Sequence, residues 1–235
     1  MTGASMTSIR WGGSALALAL AAGLGGAQPV DAGSSITFTM TIEQLTTEHT
    51  LKLPDGSATR APLSPATAVV YSGDNPLFTI GQPASPGLQR QAEAGEPGDL
   101  ITAVQGAAGV IAVMMLERTD SFTFQAKPGE MLSFATMFGQ SNDCFYAPKL
   151  GHIRLFDADG QPIQGDRAIE VVLYDAGTEV NQIPGVGPDQ GPRQDPKMWR
   201  QGALEHATVQ PVRDTFAYPP VTEVIRVTVS AGKSA

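Results

Sequence analysis

Two short acidic segments hold the side chains best suited to chemistry. One is Gln140-Ser141-Asn142-Asp143-Cys144-Phe145 and the other is Tyr174-Asp175-Ala176-Gly177-Thr178-Glu179. Each sets a carboxylate at the edge of an apolar, strand-like run, beside small or turn-forming residues. Asp175 and Glu179 flank Gly177, whose freedom permits a tight turn, so a turned backbone can aim both carboxylates at one pocket. With Asp143 as the third acid, the set suits a hard cation, and calcium above others. Calcium takes about six to eight oxygens at about 2.3–2.6 Å, so Thr178, Asn142, main-chain carbonyls and water would complete the shell. Spacing alone leaves a second reading open, in which each acid caps its own turn, as Asp routinely does.

The other constellations carry less. Asp157-Ala158-Asp159-Gly160 begins like a calcium-binding helix–loop–helix, but Gln161, Pro162 and Ala168 then fill positions that need a ligand, a glycine and a bidentate Glu, so a hairpin turn is expected. His49, His152 and His206 are scattered, which disfavours zinc. There is no Gly-x-Ser-x-Gly elbow, and the glycine-rich stretches lack the strand–loop–helix setting of phosphate sites. Cys144 is the single cysteine, so no intrachain disulfide can form. Next to the aromatic Phe145 and Tyr146, it reads as a buried, inert thiol. Trp199 and Tyr218 read as aromatic anchors of the core, with a ligand surface as the alternative.

Charge and the N-terminus narrow the function classes. The formal net charge is −8, with no basic stripe to neutralise phosphate, so nucleic acid is excluded as a partner. Arg10 followed by the apolar stretch Ala15 to Leu24 and the small residues Gly25-Gly26-Ala27 reads as a secretory signal peptide, residues 1–27. That stretch is short of the roughly 20 residues that span a bilayer, and no second one approaches the length, so no transmembrane segment is expected in the mature chain. The destination is secreted or periplasmic. A mature N-terminal segment, 28–34, leads into one domain over 35–230 and a tail, 231–235.

The elements that must position the acids are mostly strands. Ser35 to Ile42 alternates strictly, with Ile36, Phe38, Met40 and Ile42 on one side and threonines on the other. Further strands are expected over Thr67–Tyr71, Val110–Leu116 (a buried strand, with Met114 and Met115 filling core gaps), Ser121–Ala126, Met131–Phe138, Ile153–Phe156, Ala168–Tyr174 and Thr222–Ser230. Ser85-Pro86 opens a short helix to Ala94, and Asp99 a second to Gln105. From Val180 to Pro196 the chain is rich in Gly, Pro, Gln and Asn, a long loop of the kind that is usually functional. Short strands with turn signals between them, and no strand–helix alternation, predict an all-β chain, an antiparallel β-sandwich with one or two short helices in a connection.

Asn142-Asp143-Cys144-Phe145 and Tyr174-Asp175-Ala176-Gly177-Thr178-Glu179 resemble the two hallmark motifs of the spondin N-terminal domain. Pro62-Leu63-Ser64-Pro65, Phe78 to Ser85 and Leu88…Ala92-Glu93-Ala94-Gly95 resemble its bacterial branch and fall in the expected order. The likeness covers about residues 35 to 230. It implies a C2-like, spondin-type sandwich with one calcium ion at one end, held by Asp143, Asp175 and Glu179. Glu179 departs from the family's Asp, Cys144 from its tryptophan, and the animal disulfides are absent, so adhesion to animal receptors is not carried over. The expected function is that of a non-catalytic calcium-binding module with a binding or adhesion role toward a protein, polysaccharide or lipid surface. The alternatives are a metal-free structural envelope protein and a hydrolase using Asp143 or Asp175 as general base.

Overall fold

A computed structural model describes residues 34–195 and 200–232. The signal-peptide expectation (1–27) and Trp199 lie outside the described residues. In chain order the strands are β1 (Ile36–Gln44), β2 (Leu51–Lys52), β3 (Ala58–Thr59), β4 (Ala66–Tyr71), β5 (Val110–Leu116), β6 (Asp120–Ala126), β7 (Met131–Met137), β8 (Cys144–Pro148), β9 (Ile153–Arg154), β10 (Asp166–Ala168), β11 (Val171–Asp175), β12 (Gln210–Pro211) and β13 (Ile225–Ala231). The helices are α1 (Pro86–Ala94), α2 (Gly98–Val104) and the single turn α3 (Val221–Val224). One sheet runs β10-β13-β1-β6, the other β12-β11-β8-β7-β4-β5 with β9 added on β7, and all pairings are antiparallel. The chain is all-β, an antiparallel sandwich.

The alternation in β1 decides which face is inside. Phe38, Met40 and Ile42 are buried, and they meet Val227 and Val229 of β13 on the same face. Opposite them stand Val70, Leu132, Phe134, Tyr146 and Leu173 of the second sheet, and the two sets form the inter-sheet core. Phe38 packs edge-on against Phe156 and stacks with Phe124. The second sheet is covered on its other face too. Val69, Tyr71, Ala135, Phe145 and Tyr174 point there and pack against Leu88, Ala92, Leu100 and Val104 of the two helices. That double cover explains why β4, β7 and β8 read as near-continuous apolar runs, because both of their faces are dry.

Helix α1 is punctuated as expected: Ser85 accepts a hydrogen bond from Leu88 N–H, Pro86 sits in the first turn, and Gly95 closes the helix at φ 70°. Helix α2 begins two residues earlier than a cap at Asp99 would place it, with Pro97 at the cap position, Asp99 in the first turn and no side-chain cap. The strand over residues 110–116 is not buried. It is the outermost strand of its sheet, paired only with β4, and Ile111 and Met115 are 46% and 55% exposed. Met114 packs on the inter-sheet core, so only one of the two methionines fills it. The run Ala168–Tyr174 is not one strand either. Its start belongs to β10 in the first sheet and its end to β11 in the second. The crossing is made by main chain: Ile169 N–H donates to Val227 O, and Lys149 N–H to Glu170 O. A mostly apolar run hides such a crossing, because Ile169 and Val171, on either side of the exposed Glu170, pack on the same core. The stretch Thr222–Ser230 opens instead with α3, started by Pro219-Pro220, before β13 begins.

Candidate metal centre

The register of β8 against β11 sets Cys144 opposite Asp175, so Asp143 and Asp175 lie at the same end of the second sheet. A tight loop fixes the approach to β8. Ser141 Oγ donates to Phe138 O, and Cys144 N–H donates to Ser141 Oγ. Ala176 N–H then donates to Asp143 O at 3.2 Å, which extends the ladder one step beyond both strands.

Asp143 is fully buried. Its Oδ2 accepts from Thr178 N–H (2.7 Å), Thr178 Oγ1 (3.0 Å) and Glu179 N–H (3.0 Å). Its Oδ1 is buried with no hydrogen-bond partner. Burial, and then the charge of Asp175, push the Asp143 carboxyl up to about 7 against the pull of those three donors. Asp175 accepts from Gly177 N–H on Oδ1 (2.6 Å) and from Asn181 Nδ2 on Oδ2 (2.7 Å). Burial raises it as well, with Glu205 and Asp214 adding to the effect. Gly177 has φ 69°, and a Cβ there would stand 2.8 Å from the backbone carbon of Ala207, so the turn between the acids tolerates only glycine.

Glu179 turns away from this pair. Its Oε1 accepts from Gly202 N–H at 3.0 Å and its Oε2 from Asn142 Nδ2 at 3.4 Å, in full burial. Burial raises its carboxyl, and the second largest cause is the charge of Glu93. Glu179 thus brings its main-chain N–H, not its carboxylate, to Asp143. Among the described residues no group of three or more His, Cys, Asp and Glu side chains stands together as a metal cage. Of the three expected carboxylates, Asp143 and Asp175 remain as a pair, in which one buried carboxylate oxygen, Asp143 Oδ1, has no partner.

The same residues order the loop beyond β11. Glu205 N–H donates to Thr178 O, Ala207 N–H to Gly177 O and Val180 N–H to Ala203 O, so 177–180 and 203–207 lie side by side. Asn142 Oδ1 accepts from Gln182 N–H. Farther out, the buried Gln190 amide donates to Gln182 O and Ile183 O and accepts from Gly185 N–H and Arg193 Nη2. Sequence reasoning missed the buried Gln190 and Glu93 as organising residues. A glutamine in a Gly/Pro-rich loop reads as solvated, whereas Glu93 follows Ala92 on the apolar face of α1 and could have been found by extending that face. Cys144 is fully buried, burial pushes its thiol well up, and Sγ donates to Asn181 Oδ1 at 3.3 Å. Tyr218 packs on the core beside Phe138. Asp157 Oδ1 accepts from Asp159 and Gln161 N–H, the turn expected there.

No protein-family model matches this chain, and no curated protein matches its sequence.

Proposed function

We propose that this protein is an exported, non-catalytic binding module of the spondin type, whose loop platform at one end of the sandwich is fixed by a single calcium ion at Asp143 and Asp175. The observation that carries the reading is Asp143 Oδ1, a carboxylate oxygen buried without a partner beside a second carboxylate. Leaving such a group unsatisfied costs about 1–3 kcal/mol or more, and a divalent cation removes both that cost and the repulsion between the acids. Asp143 and Asp175 would hold the ion through carboxylate oxygen, and it would supply positive charge there. Glu179 acts as a brace, holding Gly202 and Asn142 so that the 177–180 and 203–207 segments stay in place. The platform is what meets a protein, polysaccharide or lipid surface.

Thermal unfolding with calcium and with chelator tests this. At about 100 times its Kd, calcium contributes about 2.7 kcal/mol, which for a domain of this size raises Tm by roughly 5–10 °C. Asp175→Ala is expected to remove the shift. Superimposable curves in calcium and chelator reject the ion.

The three donors already on Asp143 Oδ2 favour a second reading, in which the buried acid is a metal-free loop staple of a structural envelope protein. In that case calcium leaves the curve unmoved while Asp143→Ala still destabilises the fold by about 2–4 kcal/mol.

A further inference from the structure

At the end of β8 and β11 away from the two aspartates, the chain crosses between the sheets and leaves a cleft of about 460 Å³. One wall is Lys149–Arg154 and the other Arg167–Glu170. Clefts of roughly 300–1,000 Å³ are the size that takes small ligands. The charge of this one is opposite to that of the molecule. Lys149, Arg154 and Arg167 line it against the single acid Glu170, in a protein of net charge −8. Glu170 is held by Lys149 at 2.6 Å, whereas neither arginine has an ion pair or hydrogen-bonded acid among the described residues. His152 also lines the cleft, and its Nε2 has no hydrogen-bond partner.

Arg154 is the centre of this arrangement. It borders this cleft, a second hollow of about 490 Å³ with Tyr71 and Asn75, and a third of about 190 Å³. The walls are rigid before any ligand arrives. Gly151 O accepts from both Asn75 Nδ2 (2.7 Å) and Ser133 Oγ (2.8 Å), Lys149 N–H donates to Glu170 O (2.9 Å), and Arg154 is in register with Met131 of β7. Two guanidinium groups on fixed strands, facing one cleft without acidic partners, suit planar or tetrahedral oxyanions, which they bind through paired N–H donors. Leu150 and Ile169 add apolar surface for the body of the ligand.

We infer that this cleft binds a monosaccharide-sized organic anion, a phosphate ester or a carboxylate, through Arg154 and Arg167. Lys149 and His152 complete the polar lining. The cleft is independent of the calcium reading, because the cleft and the aspartates lie at opposite ends of the same strand pair.

Isothermal titration of the protein at low salt tests it, with glucose 6-phosphate, glucuronate, inorganic phosphate and neutral glucose as probes. At least one of the two anions is expected to bind saturably, with glucose giving no signal. Arg154→Gln and Arg167→Gln should each weaken the anion by roughly tenfold or more, with an unchanged Tm. Lys52→Gln, an exposed lysine on β2, should leave it unchanged. Preference for one anion assigns the oxyanion as phosphate or carboxylate. No saturable binding of either anion up to about 10 mM, or binding indifferent to both arginine substitutions, overturns the inference. Inorganic phosphate binding as tightly as the ester overturns the assignment to a sugar-sized ligand.

Discussion

The buried carboxyls set how stability responds to pH. Asp143, Asp175, Glu179 and Glu93 are all raised above their ordinary values, with burial the first cause in each, and Asp143 reaches about 7. Between the unfolded value near 4 and the folded value, the native state therefore holds more protons than the unfolded chain. Stability is then fully present below about pH 4 for these groups and falls as pH rises toward 7. In chelator, Tm is expected to be higher at pH 5 than at pH 7.5, and Asp143→Asn should flatten much of that slope. A Tm that climbs over the same interval would show that the Asp143 site is not buried as described. Calcium is expected to oppose the trend, since it favours the deprotonated pair. The placement of Asp143 and Asp175 was legible in the sequence because each acid stands at the edge of an apolar, strand-like run. The destination of the Glu179 carboxylate was not. Four residues from Asp175, its side chain can point either way, and contacts with Gly202 and Asn142 from distant segments decide it.

At the level of elements, the legible features were those with a strong local rule. The alternation of β1 and the Ser85-Pro86…Gly95 punctuation of α1 both appear where expected, the latter with its side-chain cap in place. Ser85→Ala is expected to cost about 1 kcal/mol, a drop in Tm of about 2–4 °C. A change below one degree would mean that α1 is held by its packing on Val69 and Ala135 alone. The misread elements failed for a shared reason. Residues 110–116 and 168–174 are apolar runs whose burial depends on what lies beside them, and strand neighbours are not written into the run itself. The first has a neighbour on one side only, and the second changes sheets at Ile169 and Glu170.

For the molecule as a whole, the dominant feature is that the second sheet is packed on both faces, by the inter-sheet core and by the helical layer. Its strands β8 and β11 cannot slip by one residue without turning every side chain into the opposite core. They carry the aspartates at one end and the basic cleft at the other, separated by about 14 Å along β8. The cleft's arginines are exposed and that distance exceeds the Debye length of about 8 Å at physiological salt, so salt weakens their charge coupling to the aspartates. A girder with a fitting at each end transmits position faithfully and preference hardly at all. Glucose 6-phosphate affinity measured in calcium and in chelator should therefore agree within about twofold at 0.15 M salt, and a tenfold difference would reveal about 1.4 kcal/mol of coupling between the two sites. With that independence, the protein would answer to metal supply and to organic anions as two separate inputs, each read at its own end of one stiff body.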